Sequence, residues 1–145
     1  TDAAAAADPA ACDLATAETH SPAPAPAGRR LRPGPHHNRL GAPSPEHPET
    51  ETQPARRARM YVDSLEAAIS EAGDIIIPLE QGDIDESMIV GEIGSLLNGD
   101  ITGRQDSGQI TLYKSLGLAS QDLFAASHAY SKAIDSGLGI RVEYP

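Results

Sequence analysis

Ile110-Thr-Leu-Tyr-Lys-Ser-Leu-Gly117, running into Leu118-Ala-Ser-Gln-Asp-Leu123, reads as a short strand that turns directly into a long amphipathic helix. The turn is the polar corner Lys114-Ser115-Leu116-Gly117. Backbone can approach a ligand closely at Gly117, and Ser115 offers a hydroxyl beside the helix start. A serine in that place also suits a helix N-cap, and the two roles are compatible. In the helix, Leu116, Ala119, Leu123, Ala126, Tyr130 and Ala133 recur at alternating steps of three and four. That spacing builds one apolar face. Gly137 is the expected stop, and Gly139–Tyr144 alternates as a last strand.

Working back from this corner, Met60-Tyr-Val62 is a short strand with Asp63 at its exit. Asp63 and Glu66 have capping-box spacing for a helix through Ala72, stopped at Gly73. Leu65, Ala68, Ile69 and Ala72 fall on one face of that helix. Asp74–Pro78 is an apolar run ended by proline, a helix tail or a buried strand. Asp85 is placed to cap a second helix to Asn98, stopped by Gly99, with Ile89, Ile93, Leu96 and Leu97 inward. Strands separated by helices imply an α/β fold with parallel pairing.

The first part of the chain reads differently. Ten of the twelve prolines lie in residues 1–58, and four of the five histidines lie between His20 and His47. Asp2–Ala7 suits a helix end and Cys12–Ala17 a weak strand. Ser21–Pro54 lacks apolar periodicity, with only Leu31 and Leu40 as large aliphatics, so its composition is that of a disordered linker.

Charge and cysteine content exclude several classes. The net charge of −10 sits almost wholly in residues 59–145, which hold five Lys/Arg against fourteen Asp/Glu. No clustered basic platform for nucleic acid is present. The single cysteine, Cys12, rules out an internal disulfide or a thiolate metal cluster and makes a reducing, cytoplasmic setting the default. No apolar run approaches a membrane span. Thr1–Ala7 lacks the basic start and apolar core of a signal peptide. A start at Thr1 rather than Met is expected of a piece of a longer protein.

Several segments, in order and with short gaps, carry a family resemblance over about residues 56–142. They are Ala58-Arg-Met-Tyr-Val-Asp63, Glu71-Ala-Gly-Asp74 with Ile77-Pro78, Ile89-Val-Gly-Glu-Ile-Gly94 and Gly103-Arg-Gln-Asp-Ser-Gly-Gln-Ile-Thr-Leu-Tyr-Lys-Ser-Leu-Gly117, continued by Gln121-Asp-Leu123. Together they resemble the C-terminal part of the ornithine cyclodeaminase/mu-crystallin family. Asp13-Leu14 through Thr19, then Ser21-Pro22, is similar to a family strand and its threonine-serine loop. Leu31-Arg-Pro-Gly34, His37-Asn38 and Leu40-Gly-Ala42 resemble the family's Pro-Gly-x-His-x-Asn run. Residues of about 20–55 therefore read as decayed or locally frame-shifted coding sequence, with Arg39 where a buried aliphatic is expected.

The resemblance implies a fold: a partial Rossmann-type parallel sheet with C-terminal helices returning to a dimerisation and substrate domain. It divides the chain at 1–20 (a remnant of a Rossmann helix and strand), 21–55 (degraded or disordered), 56–108 (the end of the Rossmann domain) and 109–145 (strand-helix-strand of the second domain). It implies NAD or NADP as cofactor, a homodimer and a small amino-acid substrate. The activity implied is ornithine conversion to proline and ammonia, or a related amino-acid or imine oxidoreduction. The alternative is a non-catalytic binding protein of the mu-crystallin type, or a pseudo-enzyme remnant. By resemblance Ser115 approaches the nicotinamide and Thr19 lines its pocket; no catalytic residue is assigned. The chain lacks the Gly-x-Gly-x-x-Gly phosphate turn. In the cyclodeaminases an acid/base Asp follows the Gly-Ala or Gly-Gly pair, whereas Gly41-Ala42 here is followed by Pro43. The chain alone is expected to be inactive and to bind no dinucleotide.

The remaining candidates have plainer readings. Lys114 suits a solvated strand end, and Arg104 an exposed loop arginine or a partner for an acid across domains. His36-His37 lacks the converging ligands of a metal site. His128 suits a solvated helix face, and Asp83, Asp85 and Glu86 suit helix capping better than calcium binding. Cys12 suits a small core residue.

Overall fold

The structure is a computed structural model that describes residues 12–18, 33–41 and 55–143. Its strands are β1 (Leu14–Ala17), β2 (His36–Leu40), β3 (Ala58–Val62), β4 (Ile89–Glu92) and β5 (Ile110–Ser115). Its helices are α1 (Leu65–Glu71), α2 (Gly73–Glu80), α3 (Ile93–Asn98) and α4 (Ala119–Asp135). The five strands form one sheet in the order β1-β2-β5-β3-β4. Every pairing is parallel. This is the Rossmann-like α/β sheet expected from the alternation of strands and helices.

One face of the sheet carries the core. Ala58, Met60 and Val62 of β3 and Ile110 and Leu112 of β5 pack with Ala68, Ala72, Ile75 and Ile84. Only half of the expected α1 stripe is buried: Ala68 and Ala72 are, while Leu65 and Ile69 are exposed. The cap of α1 is Ser64, whose hydroxyl accepts from Ala67 N–H, and not Asp63. Asp63 is already engaged elsewhere, as described below. The chain breaks at Ala72 and a second helix starts at Gly73, so Asp74–Pro78 is helical.

Three further expectations are corrected. Asp85 caps only a 3-10 turn, Glu86–Met88, and Ile89–Glu92 leaves helical geometry to pair with β3. The helical spacing of Ile89, Ile93 and Leu96 is coincidental across a strand–helix junction. β-branched Ile89 and Val90 suit a strand, and Leu97 is exposed. The proposed last strand does not form: 138–143 has no strand, and Ile140 and Val142 are exposed. Nor is all of 21–55 structureless, because His36–Leu40 is an inner strand paired on both sides.

The sheet does not divide at residue 109, since β5 lies between β2 and β3. From β5 the chain leaves the sheet as α4, none of whose residues is buried. The outer edge of β1 has no partner strand among the described residues. No described helix is long and apolar enough to cross a membrane.

Candidate functional site

In a parallel sheet every strand delivers its C-terminal end to one edge, where α/β folds bind ligands. Here that edge collects Asp63 after β3, Glu92 at the end of β4 and Ser115 at the end of β5. Asp63 organises it. Its Oδ2 accepts three bonds, each 2.8 Å, from the Ser115 hydroxyl, Leu116 N–H and Gly117 N–H. Its Oδ1 accepts Ser64 N–H at 2.9 Å. The Asp63 N–H donates to the Lys114 carbonyl at 3.3 Å. Glu92 Oε1 accepts Leu65 N–H at 2.9 Å, placing a carboxylate at the start of α1.

Ser115 is therefore at the corner the sequence suggests, but not as a helix cap. The N-cap of α4 is Leu118, with no side-chain cap bond. The Ser115 hydroxyl is buried and faces Asp63 instead. Gly117 adopts φ +90°, a conformation glycine reaches without a steric cost. Among the described residues nothing lies within 4 Å of where a β-carbon would stand there. Thr19, the other proposed cofactor contact, lies outside the described residues.

Lys114 is not the solvated strand end expected. Its ammonium is 3.4 Å from Asp74 Oδ2, with both side chains 3% exposed. Arg39 faces the same carboxylate from β2, its Nη1 3.9 Å from Oδ1. Arg39 and Lys114 are register partners, so the two cations flank one buried acid from α2. His37 lies two residues before Arg39 and is also buried. Burial, and then the nearby Arg39 and His36 charges, hold its pKa below the ordinary imidazole value.

The other sheet face has a polar chain of contacts. Arg104 Nη2 donates to Thr111 Oγ1 at 2.9 Å, and Thr111 Oγ1 meets His36 Nδ1 at 2.8 Å. His36 Nε2 meets Asn38 Oδ1 at 2.9 Å, and Asn38 Nδ2 donates to Thr16 Oγ1 at 3.4 Å. An amide oxygen only accepts, so Nε2 carries a proton and, in the neutral ring, Nδ1 accepts from the Thr111 hydroxyl. Arg104 also donates through Nη1 to the Gly34 and Gln109 carbonyls, both at 2.5 Å. It is a loop arginine whose guanidinium ties the approach to β2 to that of β5. A cavity of about 240 Å³ lies here between His36, Asn38, Thr111 and Tyr113 of the sheet and Ile93 and Leu96 of α3. Ser115 does not line it.

His36 is thus a network member, and His36 and His37 project to opposite faces of β2. Among the described residues no group of three or more His, Cys, Asp or Glu is placed to hold a metal. Cys12 is half-buried, and His128 is exposed.

Residues 2–137 match the ornithine cyclodeaminase/mu-crystallin family. The chain belongs to that family. A Δ1-pyrroline-2-carboxylate reductase of Bacillus cereus is 35% identical over 116 residues, covering 79% of this chain and 36% of the reductase. The structure of Thermococcus litoralis Δ1-pyrroline-2-carboxylate reductase, in complex with NADH and L-proline, superposes with a TM-score of 0.78 and 36% identity. That match covers 89% of this chain and 40% of the reductase. An archaeal alanine dehydrogenase dimer with bound NAD matches with a TM-score of 0.75 and 28% identity, over 92% of this chain and 42% of that one. The chain thus spans about two fifths of the length of the family members it matches. The family's Rossmann-like sheet is present, while the Gly-x-Gly-x-x-Gly turn that seats a diphosphate occurs nowhere in residues 1–145.

The sequence had pointed to Ser115 but took Asp63 for a helix cap. The available signal was an aspartate at the exit of one strand and a Ser-x-Gly corner at the exit of another. In a parallel sheet both exits share an edge. The Arg39–Asp74–Lys114 cluster had no comparable signal, because its three members lie far apart in the chain.

Proposed function

We propose that this chain is the nicotinamide-side, C-terminal part of an NAD(P)-dependent oxidoreductase that acts on a small amino acid or its cyclic imine. The observation that carries this reading is the Asp63–Ser115–Gly117 corner at the carboxyl edge of a sheet similar to that of a reductase holding NADH and L-proline. The residues present suit the nicotinamide end of a dinucleotide, with Ser115 and Thr19 as contacts. Its diphosphate requires a turn that this chain does not contain. The nicotinamide supplies the hydride chemistry; the protein orients it against the carbon bearing nitrogen.

Imine reduction is favoured over ornithine cyclodeamination. Pro43 occupies the position of the cyclodeaminase acid/base Asp, and proline has no proton to move. The reductase relatives support the same choice. With this go a homodimeric, cytoplasmic enzyme and a second domain that begins after β5 with α4. The direct experiment follows NAD(P)H oxidation with Δ1-pyrroline-2-carboxylate, and NAD-dependent ammonia release from ornithine, in the full-length protein. Imine reduction without ornithine deamination supports the reading; the reverse pattern refutes it. Residues 1–145 alone are expected to bind no NAD at millimolar concentration.

A non-catalytic, mu-crystallin-like binding role is the second reading, and Pro43 is the observation that favours it. Dinucleotide binding without turnover of either substrate would select it.

A further inference from the structure

We infer that Asp63 occupies the anion seat of the Ser115–Gly117 corner and so makes that corner a receptor for N–H donors rather than for phosphate or carboxylate. The inference deepens the proposed function and rests on it for the identity of the ligand. A turn with successive backbone N–H groups at the end of a strand ordinarily attracts anions. Here those donors are already committed. Leu116 N–H, Gly117 N–H and the Ser115 hydroxyl all converge on Asp63 Oδ2. The carboxylate lies within the chain itself and is 5% exposed.

The direction of the Ser115 bond follows. An ionised carboxylate only accepts, so the single hydroxyl proton of Ser115 points to Asp63. What Ser115 Oγ retains is lone pairs. Among the described residues nothing stands within 4 Å of a β-carbon at Gly117, and a group entering there would meet acceptors and a buried negative charge. An amide NH2 or a protonated amine satisfies them, whereas a phosphate or a carboxylate is repelled. Asp63 touches no ligand in this account. It is a positioning residue that fixes the polarity of Ser115 and the path of the chain into α4.

Two N–H donors fit the chemistry of the proposed reaction: the carboxamide of the nicotinamide and the amine of the amino acid. The experiment separates them in the full-length protein by comparing NADH with its 3-acetylpyridine analogue, which has a ketone and no N–H. If the carboxamide is the donor, the wild type has a KM for the analogue roughly tenfold higher than for NADH, the scale of one well-placed hydrogen bond. Ser115→Ala then raises the NADH KM by a similar factor, leaves the analogue's unchanged and alters kcat little. If the amine is the donor, Ser115→Ala instead raises the KM for the amino acid in the oxidative direction. A Ser115→Ala protein with neither KM changed overturns the inference.

Asp63→Ala vacates the seat and frees four donors, the three on Oδ2 and the Ser64 N–H on Oδ1. We expect formate to bind there, raising the melting temperature of the variant saturably and restoring the dinucleotide preference, with no effect of formate on the wild type. A purely structural aspartate would not alter the preference between NADH and the ketone analogue. An Asp63→Ala variant that keeps the wild-type value without formate overturns the inference, the value being the NADH preference if the carboxamide is the donor and the amino-acid KM if the amine is. A full-length wild type that binds no NADH sinks the proposed function alone. The Asp63 assignment is then decided without cofactor, by an exchange-protected Ser115 hydroxyl proton in NMR spectra of the wild type, and its loss in Asp63→Ala. Its absence from the wild type spectrum overturns the inference.

Discussion

Lys114 Nζ lies 3.4 Å from Asp74 Oδ2, an ion pair buried on the face of the sheet that also carries the apolar core. Arg39 approaches the same carboxylate, so one acid serves two cations. Buried pairs of this kind gain little over an apolar replacement, but removing one member leaves the others with uncompensated charge. Asp74→Ala is expected to destabilise the chain by about 3–5 kcal/mol. Replacing Arg39, Asp74 and Lys114 together by Leu, Leu and Met should recover most of that loss. Urea unfolding of the 145-residue chain measures both. A single-variant loss below about 1 kcal/mol would mean that water reaches the cluster.

Gly34 and Gly117 both have positive φ, +99° and +90°, and yet alanine should cost different amounts at the two. At Gly34 a new β-carbon would stand 2.6 Å from the Ser107 carbonyl oxygen, a backbone atom that cannot swing away. At Gly117 it would meet nothing within 4 Å among the described residues. Gly117→Ala therefore carries only the backbone term, about 1–2 kcal/mol. Gly34→Ala adds the clash and should reach about 3 kcal/mol or more. The same disturbance loosens the carbonyl that Arg104 holds, so amide exchange should quicken at residues 105–111 in Gly34→Ala only. Equal costs at the two positions would contradict this.

These residues also show what a sequence reveals of such a fold. β3 and β5 were legible because their apolar residues alternate, and α4 because its apolar positions recur at helical spacing. Ser115 was legible because a polar residue interrupts that pattern at a turn. β2 was hidden: His-His-Asn-Arg-Leu has no strand signature, and the acid that faces the buried Arg39, Asp74, is 35 positions away. β4 was misread because Ile89 and Ile93 are four apart, the spacing of a helix, on either side of a strand end. The last strand is absent from 139–143 although Ile140 and Val142 alternate, and both side chains are exposed. Local pattern fixes local structure; burial of charge and strand pairing depend on partners that are distant in the chain.

His37 makes stability depend on pH in one direction. Its ring is buried, Nε2 has no hydrogen-bond partner among the described residues, and its pKa is held below 6.5 by burial first and then by Arg39 and His36. In the unfolded chain the ring titrates near its ordinary value of 6.5. Below that pH the unfolded state takes up a proton that the native state does not, so stability falls with falling pH until the native ring also titrates. Well above pH 6.5, where the ring is neutral in both states, His37 contributes no slope. His37→Gln should remove its part of the decline between neutral pH and pH 5 while His36 and His128 remain. Denaturant midpoints across that range measure it, and an unchanged slope in the variant would show that the native ring is protonated without penalty.

α4 gives the last expectation. Leu123, Phe124, Tyr130 and Ile134 are 68%, 75%, 68% and 61% exposed, although their spacing is that of a packing face. An apolar stripe of this extent is ordinarily covered. The matched reductase of B. cereus is nearly three times as long as the part this chain spans, so the cover is expected from the remainder of the protein. Leu123→Ser and Phe124→Ser should then shift the unfolding free energy of residues 1–145 by no more than about 0.5 kcal/mol, as exposed positions do. The same variants in the full-length protein should cost about 2–4 kcal/mol each, the scale of a truncated core residue, and should lower dimer content if α4 lies at the subunit contact. Comparing thermal or urea unfolding of the two forms measures the difference. An equal and small effect in both would mean that the stripe remains open in the whole protein, and that α4 ends in solvent rather than leading into a second domain.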